Sequence, residues 1–181
     1  MKSLHIIFAL LIINGTLSQQ LENSGFEQWE NVGTGEEEPL SWSSTKSSDN
    51  SSLNGLAPQV ISRSTDAHTG TYAAKLVNKN VPFVNIVANG ILTNGIIHTT
   101  TNPQDSYVYT DVNSSDHSQP FTSFPDSIVG WYKYAPQGND VGNIQVLLHG
   151  SYGQLPVDAS TSIIALAAVS YTHLRAHETS L

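Results

Sequence analysis

Beyond residue 58 the apolar positions fall in short runs, each closed by Gly, Pro, Asn or Asp: Gln59–Ser64, Thr71–Val77, Val84–Ala88, Ser106–Val112, Ser127–Ala135, Asn143–His149 and Ser162–Ala168. Their length, their spacing and their content of β-branched and aromatic residues predict strands. Alternation is imperfect in Val60–Arg63 and Ile144–Leu148, so the pattern predicts the strands better than the faces they present. Ahead of them, LENSGFEQW predicts a short first strand, GTGEEEP an acidic loop, and Leu40–Ser43 a second aromatic-bearing segment. Ser43–Pro58, SSTKSSDNSSLNGLAP, is too polar to bury anything and predicts an exposed, mobile loop with no chemistry of its own. No amphipathic helix intervenes. Short strands without helices predict an all-β fold, an antiparallel β-sandwich or jelly roll.

The first eighteen residues change the setting. MKSLHIIFALLIINGTLS joins a basic Lys2, an apolar run from Leu4 to Ile13 and small residues at Thr16 and Ser18. That is the layout of a signal peptide ending before Gln19, and the run is too short for a bilayer anchor. The chain is therefore expected to be exported, to the periplasm, cell surface or medium, without membrane insertion. It contains no cysteine, so an exported domain of this sequence must hold itself together by burial, with or without a metal. That favours a bacterial module over a small animal one. Setting aside residues 1–18 and 169–181, five Lys+Arg face fourteen Asp+Glu, a net charge of −9. Nucleic acid and anionic membranes need a basic footprint and are excluded as partners, whereas neutral glycans fit.

LENSGFEQW, the Pro39/Trp42 pair in EPLSW, STDAHTGTYAAKL, IVANGILTNG and DSIVGWYKYAPQGND, in this order from Leu21 to Leu148, resemble the carbohydrate metabolism domain family of exported proteins from glycan-using bacteria. The resemblance implies a β jelly roll similar in build to carbohydrate-binding modules, and a role in glycan handling. Family members continue past the region of Ala168 with further strands. Here VSYTHLRAHET follows, and its eleven residues, Val169–Thr179, coincide with a one-frame translation of a transposase-type sequencing adapter. Residues 19–168 are thus read as a jelly roll incomplete at its C-terminal end, and 169–181 as an adapter artefact. Such a tail should project or dock loosely. The 181-residue chain is expected to express poorly, and a completed one to be a soluble monomer.

HLRAHE places His173 and His177 four residues apart, a spacing that on a helix could serve a metal, but zinc needs a third ligand and the adapter match removes the motif from consideration. His68, His98, His117 and His149 share no spacing. The densest aromatic cluster is GWYKYAP, where a strand would set Trp131 and Lys133 on one face and Tyr132 and Tyr134 on the other. An exposed ring there could stack on a sugar, with Lys133 bonding to hydroxyls; the alternative is core packing. Tyr107 and Tyr109, two apart, are either half of a stacking platform or a cross-strand packing pair. Trp29 and Trp42 read as core or loop anchors. By resemblance, Glu27 matches a glutamate that helps hold a structural calcium in related jelly rolls, an ion that needs six to eight oxygens.

No nucleophile elbow, phosphate loop or zinc-protease motif occurs, and Asp66, Asp105, Asp111, Asp116, Asp126 and Asp140 sit in turn-like contexts. The sequence thus reads as an exported non-catalytic carbohydrate-binding module. The alternatives are a protein-binding surface adhesion module, marked by a large apolar patch, and a glycoside-active enzyme, marked by paired carboxylates in a cleft.

Overall fold

The computed structural model describes residues 19–82, 84–123, 125 and 127–171, and the backbone of 175–180. Residues 1–18, expected above to be a signal peptide, Asp126 and His173 lie outside them. Strands run in the order β1 (Trp29–Glu30), β2 (Glu38–Pro39), β3 (Ile61–Ser64), β4 (Ala73–Leu76), β5 (Lys79–Asn80), β6 (Val87–Ala88), β7 (Ile96–His98), β8 (Tyr107–Tyr109), β9 (Val129–Tyr134), β10 (Gly142–His149), β11 (Gln154–Leu155), β12 (Ile163–Tyr171) and β13 (Arg175–Ser180). One short helix, Ser51–Asn54, and a 3-10 turn, Pro103–Asp105, interrupt them. The class is all-β, and every pairing is antiparallel. β7, β8 and β11 form a three-stranded sheet in the order β11-β8-β7; β1–β2, β3–β4, β5–β6, β9–β13 and β10–β12 are two-stranded ribbons. Among the described residues no helix is long and apolar enough to cross a membrane.

All seven segments expected after residue 58 contain a strand. The first expected strand does not form. Asn23 takes a positive φ of 45°, and its side-chain amide bonds to Gln28 N, Gln28 O and Leu40 O, so Leu21–Gln28 folds as a turn and only Trp29–Glu30 extends. Asparagine tolerates the left-handed region and bonds its neighbours' backbone, which is why the turn wins.

The expectation for Ser43–Pro58 is also corrected. Ser43, Ser44 and Ser48 are buried, beside the apolar core of Val60, Ile61 and Ile97. Their polar atoms are satisfied internally: Ser43 pairs with Thr93 through both backbone groups, Ser44 donates to Glu38, and Ser48 donates to Asn54. A serine enters a core when every donor finds an acceptor.

The tail does not project. Val169–Tyr171 extends β12 along β10, and β13 pairs with β9 from Arg175↔Tyr134 to Ser180↔Val129. A backbone ladder requires no selected side chains, and β9 has no other strand partner among the described residues, so an extended segment can take its edge. The β10–β12 ribbon keeps Ile144, Ile163, Ile164 and Leu166 exposed.

Candidate functional site

A cleft of about 350 Å³ opens between the turn-and-hairpin region of residues 22–42 and the segment around Asp116–His117. Its first wall is held by Asn23, which ties the 22–25 turn to Leu40, and by Trp42, whose indole N–H donates to Glu22 O at 3.1 Å. Phe26 meets Trp42 edge to face at 5.1 Å. Beyond Glu22, four contacts tie residues 19–22 to residues 119–122, across about a hundred residues of chain. Gln19 donates to Pro120 O at 2.5 Å and accepts from Thr122 N at 2.8 Å; Gln119 donates to Gln20 O at 2.8 Å and accepts from Glu22 N at 2.9 Å. Ser43 Oγ lies 3.2 Å from His117 Nδ1 and fixes that ring.

Among the described residues, four carboxylates line the cleft, those of Glu22, Glu30, Glu38 and Asp116, together with the His117 imidazole, and no lysine or arginine does. Glu38 is 4% exposed. Burial raises its pKa, and the bonds it accepts from Ser44 N and Oγ, together with the Ser47 hydroxyl, only partly oppose that; the Glu30 charge adds to the rise. Glu30 sits directly opposite it in the β1–β2 register. The cleft therefore joins one indole, the Asn23 and Gln28 amides, the Ser41 and Ser47 hydroxyls and a field of acceptors.

The residues expected from GWYKYAP divide as a strand requires. On one side Trp131 is 52% exposed and stacks on His68, with centroids 3.7 Å apart and planes at 11°, while Lys133 pairs with Asp66. On the other, Tyr132 is half-buried against Tyr171, with centroids at 4.0 Å, and Tyr134 is half-buried with its hydroxyl enclosed. Tyr107 and Tyr109 lie 5.9 Å apart with planes tilted by 54°. Tyr107 stacks on His98 at 4.6 Å, and Tyr109 donates to Asp49, which also holds His98 at 2.8 Å. Burial, then the Asp49 charge beside it, pushes the Tyr109 phenol up to about 12. The two groups sit on different sheets and do not form one platform.

Glu27 serves a turn: its Oε1 accepts from Thr71 N at 2.9 Å and Tyr72 N at 3.1 Å. Gly70, at φ +72°, leaves room for that carboxylate; a Cβ there would collide with it. Among the described residues no three His, Cys, Asp or Glu side chains cluster as metal ligands. Trp29 and Trp42 act as loop anchors through their indole N–H groups.

Comparison with protein-family models, curated proteins and solved structures gives no match to the chain. The cleft escapes a sequence reading because its walls come from residues far apart. The one local signal was Trp42 close after the EEEP run.

Proposed function

We propose that the chain is an exported, non-catalytic domain that binds glycan, a jelly roll of the carbohydrate metabolism domain family that its motifs resemble, with the cleft as its ligand site. The observation that carries the reading is the convergence of the Trp42 indole with amides, hydroxyls and carboxylates on one concave surface. A sugar presents an apolar face for the ring and a rim of hydroxyls for the polar groups, and small-ligand sites are concave with few polar fixtures. Trp131, one face of which stacks on His68, offers a second aromatic contact outside the cleft, with the Lys133–Asp66 pair on the same side of its strand. Titration of oligosaccharides into the protein tests the site. Trp42→Ala should weaken binding by about 1–3 kcal/mol, as for a central aromatic anchor, with Trp42→Phe between it and wild type. Retention indifferent to both variants, in folded protein, removes the cleft from the reading.

One observation favours glycoside cleavage as a second reading: Glu30 and Glu38 are direct cross-strand partners in different environments, one exposed and one buried. Carboxylates so placed can divide acid and base roles. Release of new reducing ends, abolished by Glu30→Gln, distinguishes cleavage from binding.

A further inference from the structure

We propose that the sugar unit entering the cleft carries a free, protonated amine, a de-N-acetylated hexosamine. This rests on the glycan reading of the same site. Three features of the cleft lead to it. It is a concavity of about 350 Å³, near the lower end of ligand-pocket sizes of roughly 300–1,000 Å³, so it accepts one or two sugar units and no long segment of chain. Trp42 lines it, and an indole attracts both the C–H face of a sugar and a cation seated over it. Of the five titratable side chains that line the space, four are carboxylates and the fifth is His117, whose Nδ1 lies 3.2 Å from Ser43 Oγ. Glu22, Glu30 and Asp116 are exposed, Glu38 is buried, and among the described residues no lysine or arginine lines the space.

Of the cations next to lining residues in the chain or bound to their neighbours, Arg63 pairs with Glu37 at 2.5 Å and Lys46 donates to Asn54 O at 3.3 Å. Within the cleft four carboxylates face a single imidazole, and a ligand bearing positive charge supplies counter-charge through short, charge-assisted bonds. A uronic, sialic or sulfated sugar meets mostly like charge and is disfavoured. A neutral N-acetylated unit leaves the carboxylates to bond hydroxyls alone and gains less.

Calorimetric titration of the full chain with four oligosaccharides of equal length tests this: a glucosamine oligomer, its N-acetylated counterpart, a neutral glucose oligomer and a uronate oligomer. The glucosamine oligomer should bind about tenfold or more tighter than its acetylated counterpart at mildly acidic pH, where the amine is charged. Added salt should reduce that preference, and the uronate should not bind. Glu30→Gln and Asp116→Asn, both at exposed positions, should each lower affinity for the amine by more than that for the acetylated oligomer, narrowing the preference between them. Equal affinity for the acetylated and free-amine oligomers, or an amine affinity indifferent to both variants, overturns this inference and leaves the glycan reading standing. Failure of all four sugars to bind folded protein overturns both.

Discussion

Substituting Gly70 by alanine should cost more than a surface turn normally would, because two separate things fail. The residue sits at φ +72°, where an L side chain costs roughly 1 kcal/mol. Its Cβ would also take the place of the Glu27 carboxylate, which accepts from Thr71 N and Tyr72 N. Bonds to a charged acceptor are worth about 1.5–3 kcal/mol each when buried, but this turn is exposed, and their loss together with the displacement of Glu27 comes to about 1–2 kcal/mol. Gly70→Ala should therefore destabilise by about 2–3 kcal/mol, a fall in Tm of roughly 4–12 °C for a domain of this size. In a Glu27→Ala background the collision is gone, and the same substitution should cost only about 1 kcal/mol. A double-mutant cycle by thermal and urea denaturation thus gives a coupling of about 1–2 kcal/mol. Additivity within about 0.5 kcal/mol would refute the argument. Chelator supplies an independent arm. With Glu27 engaged by the turn, it should leave the wild-type melt unchanged, whereas a calcium ligand at this position makes the melt chelator-sensitive and ties that sensitivity to Glu27.

Glu38 has a pKa raised by burial, so the folded state holds its proton more tightly than the unfolded one. Its contribution to stability should be fully present below the unfolded value of 4.5 and be lost as pH rises through the folded value; Glu38→Gln should remove that part of the pH dependence of urea midpoints. Ile97→Ala, in a core whose buried apolar members among the described residues are Val60, Ile61 and Ile97, should cost about 2–4 kcal/mol by the same measurement. Deleting Thr172–Leu181 removes only a strand that borrows the β9 backbone, so the main thermal transition should move by less than about 4 °C; a larger loss makes β13 part of the cooperative unit.

The strands were legible where short apolar, β-branched runs ended in turn residues, as in Asn143–His149 and Ser127–Ala135. Burial was not. The EEE run of the acidic loop shows why: Glu36 is exposed, Glu37 pairs with Arg63 at 2.5 Å, and Glu38 goes into the interior under Ser44. Three identical side chains meet three environments, set by partners 6 and 26 residues away in sequence. Ser43–Ser48 misled for the same reason, since composition reports polarity and says nothing of which donors will find acceptors. Among the aromatics, the strand alternation of Trp131 against Tyr132 was readable, but the rings that cover them, His68 and Tyr171, were not.

The Gln19–Glu22 contacts to Gln119–Thr122 have a kinetic meaning. They close loops of 97 to 103 residues, while the β3–β4 hairpin joins partners from Ser64↔Ala73 to Ile61↔Leu76, 9 to 15 residues apart. Distant closures are entropically delayed, so the hairpins should form early and the arm of residues 19–22 should seat late, after the segment around Pro120 has been synthesised and folded. In hydrogen exchange the same arm should be the first to open, at a free energy well below that of global unfolding. A protein with its ribbons intact and this arm released would still look folded by circular dichroism, yet Glu22 would no longer be held at the cleft; ligand capture would then report the last step of assembly rather than the presence of structure.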